Sequence, residues 1–192
     1  MDKIKGLNRF TRVLAKAVEL LYWMAAGAMA VLLGVSLAAG GWLAEKLRAG
    51  QEALNLYSNS LATHGFELAV AWEGSVDMRA FTLFCVVSAI ILVLMAMVFH
   101  TIWRIMKETG DNPGEKGFQA SAARQVKRIG YLFLGVTAVS LTASVIARLV
   151  LGPEAAETSV GIEYLLLGLL MLYLAQIFAY GEGLQKDLDG LV

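Results

Sequence analysis

Apolar positions gather into four long runs separated by polar segments. The first, Leu20 to Leu43, carries no charge, and the second, Ala80 to Trp103, is uncharged up to His100. The third, Ile129 to Leu151, holds one charge at Arg148, and the fourth, Val160 to Tyr180, has Glu163 near its start. A helix rises about 1.5 Å per residue, so roughly 20 apolar residues cross about 30 Å of hydrocarbon. All four runs reach that length. Backbone amides in lipid find no water, so each run must satisfy its own hydrogen bonds as a helix. The pattern predicts an all-α fold, a polytopic bundle of four transmembrane helices forming a single integral membrane domain over 1–192.

The segments between the runs complete the layout. A basic interfacial helix is expected at 1–19, with Ile4, Leu7, Leu14 and Val18 on one face and Lys5, Arg9, Arg12 and Lys16 on another. Such a helix rests on headgroups and attracts anionic lipid, or serves only as a topology signal. Spans at 20–43, 80–103, 129–151 and 160–180 leave outer segments at 44–79 and 152–159, an inner loop at 104–128 and a tail at 181–192. In the first outer segment, Glu45 to Leu56 reads as helical. Phe66 to Trp72 partly alternates between Gly65 and Gly74, the mark of a short strand or hairpin. A small extracytoplasmic cap between helices 1 and 2 follows, which either binds a ligand or packs over the helix ends. Inside, Thr109 to Gly114 is a turn cluster without calcium-ligand spacing, and a helix from Phe118 runs into the third span.

Charge orients these spans. Lys3, Lys5, Arg9, Arg12 and Lys16 precede the first, and Arg104, Lys107, Lys116, Arg124, Lys127 and Arg128 lie between the second and third. The first outer segment has Lys46, Arg48 and Arg79, and 152–159 has no basic residue. Basic residues near span ends stay in the cytoplasm, so both termini are expected inside. Ser36 to Gly40 resembles a signal-peptide cleavage site, but the apolar run exceeds the roughly 7–15 residues of a signal peptide and reads as a permanent anchor.

Composition agrees with a bilayer: 58% of the 192 residues are apolar and the mean hydropathy is +0.64. Sixteen basic and sixteen acidic side chains cancel, which implies no direct nucleic-acid partner. The one cysteine, Cys85, can build neither an intrachain disulfide nor a thiolate cage. No phosphate-binding glycine loop, metal-ligand histidine pair or serine elbow is present, so no catalytic residue, cofactor or metal is expected and the protein reads as non-enzymatic. His64 and His100 are predicted on opposite sides of the membrane and so cannot share one haem iron.

Several polar and small positions share helical faces. Ala26, Ala30, Gly34 and Ala38 form a small-residue face on span one, suited to close packing within the chain or, as a homo-oligomer, with a second copy. On span three Thr137, Ser140, Ser144 and Arg148 form a polar stripe pointing into the bundle. Arg148 there snorkels outward, pairs with Glu163 or a cap acid, or binds an anion. Near the inner surface His100 and Arg104 are expected beside Tyr173, Gln176 and Tyr180, with His100 a proton sensor or an ordinary interfacial histidine. In the tail, Leu184, Leu188 and Leu191 fall on one face, able to dock on a partner or on the inner loop.

The turn Asp111-Asn112-Pro113, then Phe118, Arg128-Ile129-Gly130, Ile177-Phe178-Ala179-Tyr180-Gly181 and the closing Leu184 to Val192 resemble a family of small bacterial membrane proteins of unknown function, the YoaS-like group. Gly114 stands where that family usually carries an aromatic. The resemblance covers the second half best. It implies four helices in a bacterial inner membrane and, often, a neighbouring gene for a small helix-turn-helix regulator; it implies no activity. The expectation is a regulatory or sensory membrane protein acting through a cytoplasmic partner, that regulator included. The alternative is a small transporter or permease subunit with a polar path along Thr137, Ser140, Ser144, Arg148 and Gln176. Membrane lipid is a partner on either reading.

Overall fold

The computed structural model describes residues 2–54, 60–72, 75–111, 118–157 and 161–189. It contains four helices, α1 (Asp2–Leu54), α2 (Met78–Asp111), α3 (Phe118–Leu151) and α4 (Ile162–Asp189). Each includes a stretch long and apolar enough to cross a membrane, as expected. Of the most apolar part of each helix, 56% is buried in α2 and 44% in α3, against 11% in both α1 and α4. Helices α2 and α3 therefore supply most of the packed interior, and α1 and α4 leave broad apolar faces open, including Met24, Leu37, Leu166 and Leu170. A lipid environment accepts such faces without cost.

Every helix runs past its span. The basic N-terminal segment continues directly into span one instead of forming a separate interfacial helix. Within α1 the helical dihedrals fail at Ala39 (φ −142°, ψ 47°), just before Gly40-Gly41. Glycines stabilise a helix least, and the bend falls beside them. Helix α3 begins at Phe118 and enters span three unbroken, as predicted, and α4 carries the tail to Asp189.

The chain forms two compact units. The first, here the terminal unit, comprises 1–22, 94–135 and 163–192. In it α3 and α4 meet closely: a Cβ on Gly130 would lie 3.0 Å from the Gly168 carbonyl oxygen, and one on Gly168 would lie 3.1 Å from that of Gly130. The backbones meet because neither residue has a side chain. Leu172 covers Gly130 and Leu134 covers Gly168, each 2.9 Å from the absent Cβ, and Phe133 stacks on Tyr164 nearby. Tyr22 of α1 stacks on Phe99 of α2 in the same unit.

The second, the sheet unit, comprises 23–93 and 136–162. Strands β1 (Ser60–Thr63) and β2 (Phe66–Ala69) form a hairpin across His64-Gly65, both with positive φ (42° and 82°). Two left-handed residues make the turn whose twist matches paired strands. Gly65 is also required for space, since a Cβ there would lie 2.8 Å from the Gly161 Cα. Strand β2 then pairs on its other edge with β5 (Ala156–Glu157), giving a three-stranded sheet in the order β1-β2-β5. A second hairpin joins β3 (Ala71–Trp72) to β4 (Ser75–Val76). The expected strand over Phe66 to Trp72 is thus two strands parted at Val70, and the sheet draws on both the α1–α2 and the α3–α4 segments rather than on the first alone.

The sheet is anchored to helix ends. Phe66 and Leu68 are buried, and Phe66 stacks on Phe84 of α2. Asp77 caps α2 by accepting the Arg79 N–H at 2.8 Å. Helix α3 stops at Gly152 (φ 113°), whose N–H reaches the Arg148 carbonyl, and Pro153 follows. Leu43, Phe81 and Cys85 centre an apolar cluster with Met29, Leu33 and Leu61.

Within one chain, the small face of α1 is largely unpacked. Ala26 is buried, but Ala30, Gly34 and Ala38 are exposed, and a Cβ on Gly34 would meet nothing within 4 Å. Larger residues (Met29, Leu33, Leu43) fill the space on the buried side instead. Gly168→Leu is expected to lower stability by about 1–3 kcal/mol through overpacking, and Gly34→Leu to stay within about 0.5 kcal/mol. Thermal unfolding of both variants in mild detergent checks the contrast.

Candidate functional site

The polar groups of the terminal unit converge on a residue that hydropathy passes over. Glu19, at the edge of span one, is 4% exposed. Lys16, one turn earlier on α1, donates to both of its oxygens at 2.9 and 3.0 Å. His100 Nδ1 of α2 lies 3.1 Å from Glu19 Oε1. Below His100 on the same helix face sits Trp103, whose ring carries Lys16 Nζ at 4.8 Å and Lys107 Nζ at 5.4 Å. The carboxylate is held by one ammonium and one imidazole, and the indole face adds a cation–π contact.

A second polar tie lies one helix on. Glu108 accepts from Arg104 on its own helix at 3.0 Å and from Gln125 of α3 at 2.7 Å. The expected cluster of His100 with Tyr173, Gln176 and Tyr180 is not what forms. His100 turns to α1, while Gln176 lines a groove with Arg124, Lys127 and Tyr131 of α3, and Tyr173 and Tyr180 are exposed. The tail leucines Leu184 and Leu188 lie on helical backbone; their side chains, and Leu191, fall outside the described residues.

In the sheet unit, the polar stripe of α3 is buried as its period predicted: Thr137, Ser140 and Ser144 are 5%, 1% and 2% exposed. Ser144 donates to the Ser140 carbonyl one turn back, and the hydroxyls of Ser140 and Ser88 have no partner among the described residues. Arg148 departs from the rest of the stripe. It is exposed and donates from Nε to the Ala156 carbonyl at 3.1 Å, tying the end of α3 to β5. Across the unit, Thr82 donates to the Met78 carbonyl, which leaves Ser36 as the donor to Thr82. A cleft of ≈ 530 Å³ lies beside the sheet, lined by Ala69, Val70, Asp77, Leu151, Pro153 and Glu154.

No family model, curated protein or solved structure matches this chain. Among the described residues, no three His, Cys, Asp or Glu side chains are grouped as metal ligands.

Glu19 was not legible as a site because its partner lies 81 residues away. The available signal was the Lys16-Val18-Glu19 edge itself: an acid one turn from a lysine, in a basic segment, facing an uncharged run.

Two outcomes follow from this geometry. Glu19→Ala removes three charge-assisted contacts at a buried carboxylate and is expected to cost about 1–3 kcal/mol, whereas Arg104→Ala, at an exposed pair, costs about 0–1 kcal/mol. Thermal midpoints in detergent measure both. His64, in the β1–β2 turn, has its pKa lowered from 6.5 by burial, so the folded hairpin prefers the neutral ring. Its contribution is complete above pH 6.5 and is lost as pH falls through the lowered value, because the unfolded chain takes the proton first. His64→Asn keeps a residue suited to positive φ before Gly65 and should abolish this acid sensitivity, read by hydrogen exchange of the hairpin amides across pH.

Proposed function

We propose that the chain is a non-enzymatic regulatory or sensory membrane protein that reports from its sheet to a soluble partner at its chain termini. The observation that carries this reading is the pairing of β2 with both β1 and β5. One small sheet thereby joins the α1–α2 segment to the α3–α4 segment, beside a cleft floored by the ends of α2 and α3. A ligand in that cleft would contact Asp77, which caps α2, and the Leu151 end of α3. Binding there acts directly on two of the membrane helices.

The basic residues at 3–16 and 104–128 favour a cytoplasmic location for both termini, which puts the sheet outside. With the resemblance to the YoaS-like group, this supports a bacterial inner-membrane protein whose tail, through Leu184, Leu188 and Leu191, holds a helix-turn-helix regulator. The transporter reading is the weaker one. Side chains that a water-sized sphere barely touches line no aqueous path, and Thr137, Ser140 and Ser144 are buried to that degree.

Affinity capture from bacterial membranes, with the intact chain beside a version ending at Tyr180, tests the proposal by mass spectrometry. A soluble regulator captured by the intact chain and lost with the tail is the expected result. Recovery of membrane components alone by both versions overturns it.

A further inference from the structure

We propose that the groove between α3 and α4 in the terminal unit seats one anionic phospholipid, its phosphate on Arg124 and Lys127 and its acyl chain on an apolar floor. The groove, ≈ 410 Å³, is lined by Arg124, Lys127, Tyr131 and Gln176 around a floor of Ala123, Leu172, Ala175 and Ala179. Among the described residues, no carboxylate lines it.

The order of these groups along the helices identifies the occupant. Gly130 and Gly168 bring the two backbones into contact, and Leu172 packs on Gly130 at that crossing. The groove opens from Leu172 towards the Phe118 end of α3, so its apolar floor begins at the crossing. Tyr131, next to Gly130, stands at the crossing, with the Lys127 ammonium 5.8 Å from its ring centroid. Arg124 lies one turn beyond Lys127 on the same face, and both side chains are exposed. The apolar floor runs the length of the groove from Leu172 at the crossing, and beside it α3 presents an aromatic ring and then two cations, the order met from acyl chain to phosphate. The positions also fit: α3 becomes apolar enough to span from Ala122, and α4 ceases to be so after Gly183, so the groove falls at one boundary of the hydrocarbon.

Arginine offers five N–H donors in a planar fork and lysine three on a flexible stem, enough to hold a phosphodiester while Arg124 keeps a second contact. The Gln176 amide stands on the facing helix, placed for a glycerol hydroxyl. A free phosphate would use the two cations but not the floor, which is why a lipid is the better fit.

The test uses the purified full chain, delipidated in detergent and exposed to equal amounts of phosphatidylglycerol and phosphatidylcholine, with bound lipid counted by native mass spectrometry. Preferential retention of phosphatidylglycerol is expected. Arg124→Gln with Lys127→Gln should weaken it roughly 30-fold, the usual worth of two basic side chains at an anionic surface. Ala179→Trp should abolish retention with every charge intact, by filling the floor. Removing the same two charges elsewhere, as Lys46→Gln with Arg79→Gln, should leave retention unchanged. Unchanged retention in the groove variants, an equal loss in the control pair, or displacement by soluble glycerol phosphate as effective as by lipid would each overturn the proposal. The proposal rests on the bilayer placement. A chain that retains neither lipid overturns that placement, whereas equal retention of both overturns the groove alone.

Discussion

The absence of water within hydrocarbon governs this chain. A backbone amide there must bond within its own segment, and the four apolar runs do so as helices. The same constraint reaches the side chains. Thr82, Thr101 and Ser144 each donate to a carbonyl one turn back in their own helix, at 2.7, 2.8 and 2.9 Å. Such bonds consume a hydroxyl without needing a neighbour. Charges appear near span ends with fixed partners: Glu19 with Lys16 one turn back and His100 of α2, and Arg148 with the Ala156 carbonyl.

How the helices hold together then differs between the two units. In the terminal unit, α3 and α4 touch through bare glycine backbone, and polar pairs join α1 to α2 and α2 to α3. In the sheet unit, apolar side chains around Leu43, Phe81 and Cys85 fill the interior, and strand pairing ties the connecting segments. Glycine contact gains dispersion energy by close approach, whereas the leucine–phenylalanine cluster gains it by filling volume. The sheet also removes unpaired backbone groups from what would otherwise be irregular segments at the helix ends.

Hydropathy made the four spans legible, because twenty apolar residues leave few alternatives. The helical period made Thr137, Ser140 and Ser144 legible as one buried face. Arg148, on the same face, escaped that reading because its long side chain leaves the stripe for a carbonyl at the helix end. Spacing alone did not show which face of α1 packs within the chain: four small residues four apart look alike whether they meet a helix or lipid. Gly130 and Gly168 sit singly in their helices and form no motif, yet they make the closest approach between α3 and α4. Strand β5 is two residues long, too short for alternation to register, and becomes visible only through its pairing with β2. The His64-Gly65 turn was within reach of the sequence, since a residue tolerant of positive φ before glycine marks a two-residue hairpin.

The proposed function requires the strand segments to lie on one side of a membrane and the chain termini on the other. Single cysteines placed at Ala62, Glu154 and Gly183, each in a Cys85→Ser background, can be probed in intact cells with a membrane-impermeant maleimide. Labelling at 62 and 154 without lysis, and at 183 only after lysis, is the predicted result. Labelling of 183 in intact cells, or protection of 62 and 154, would contradict it.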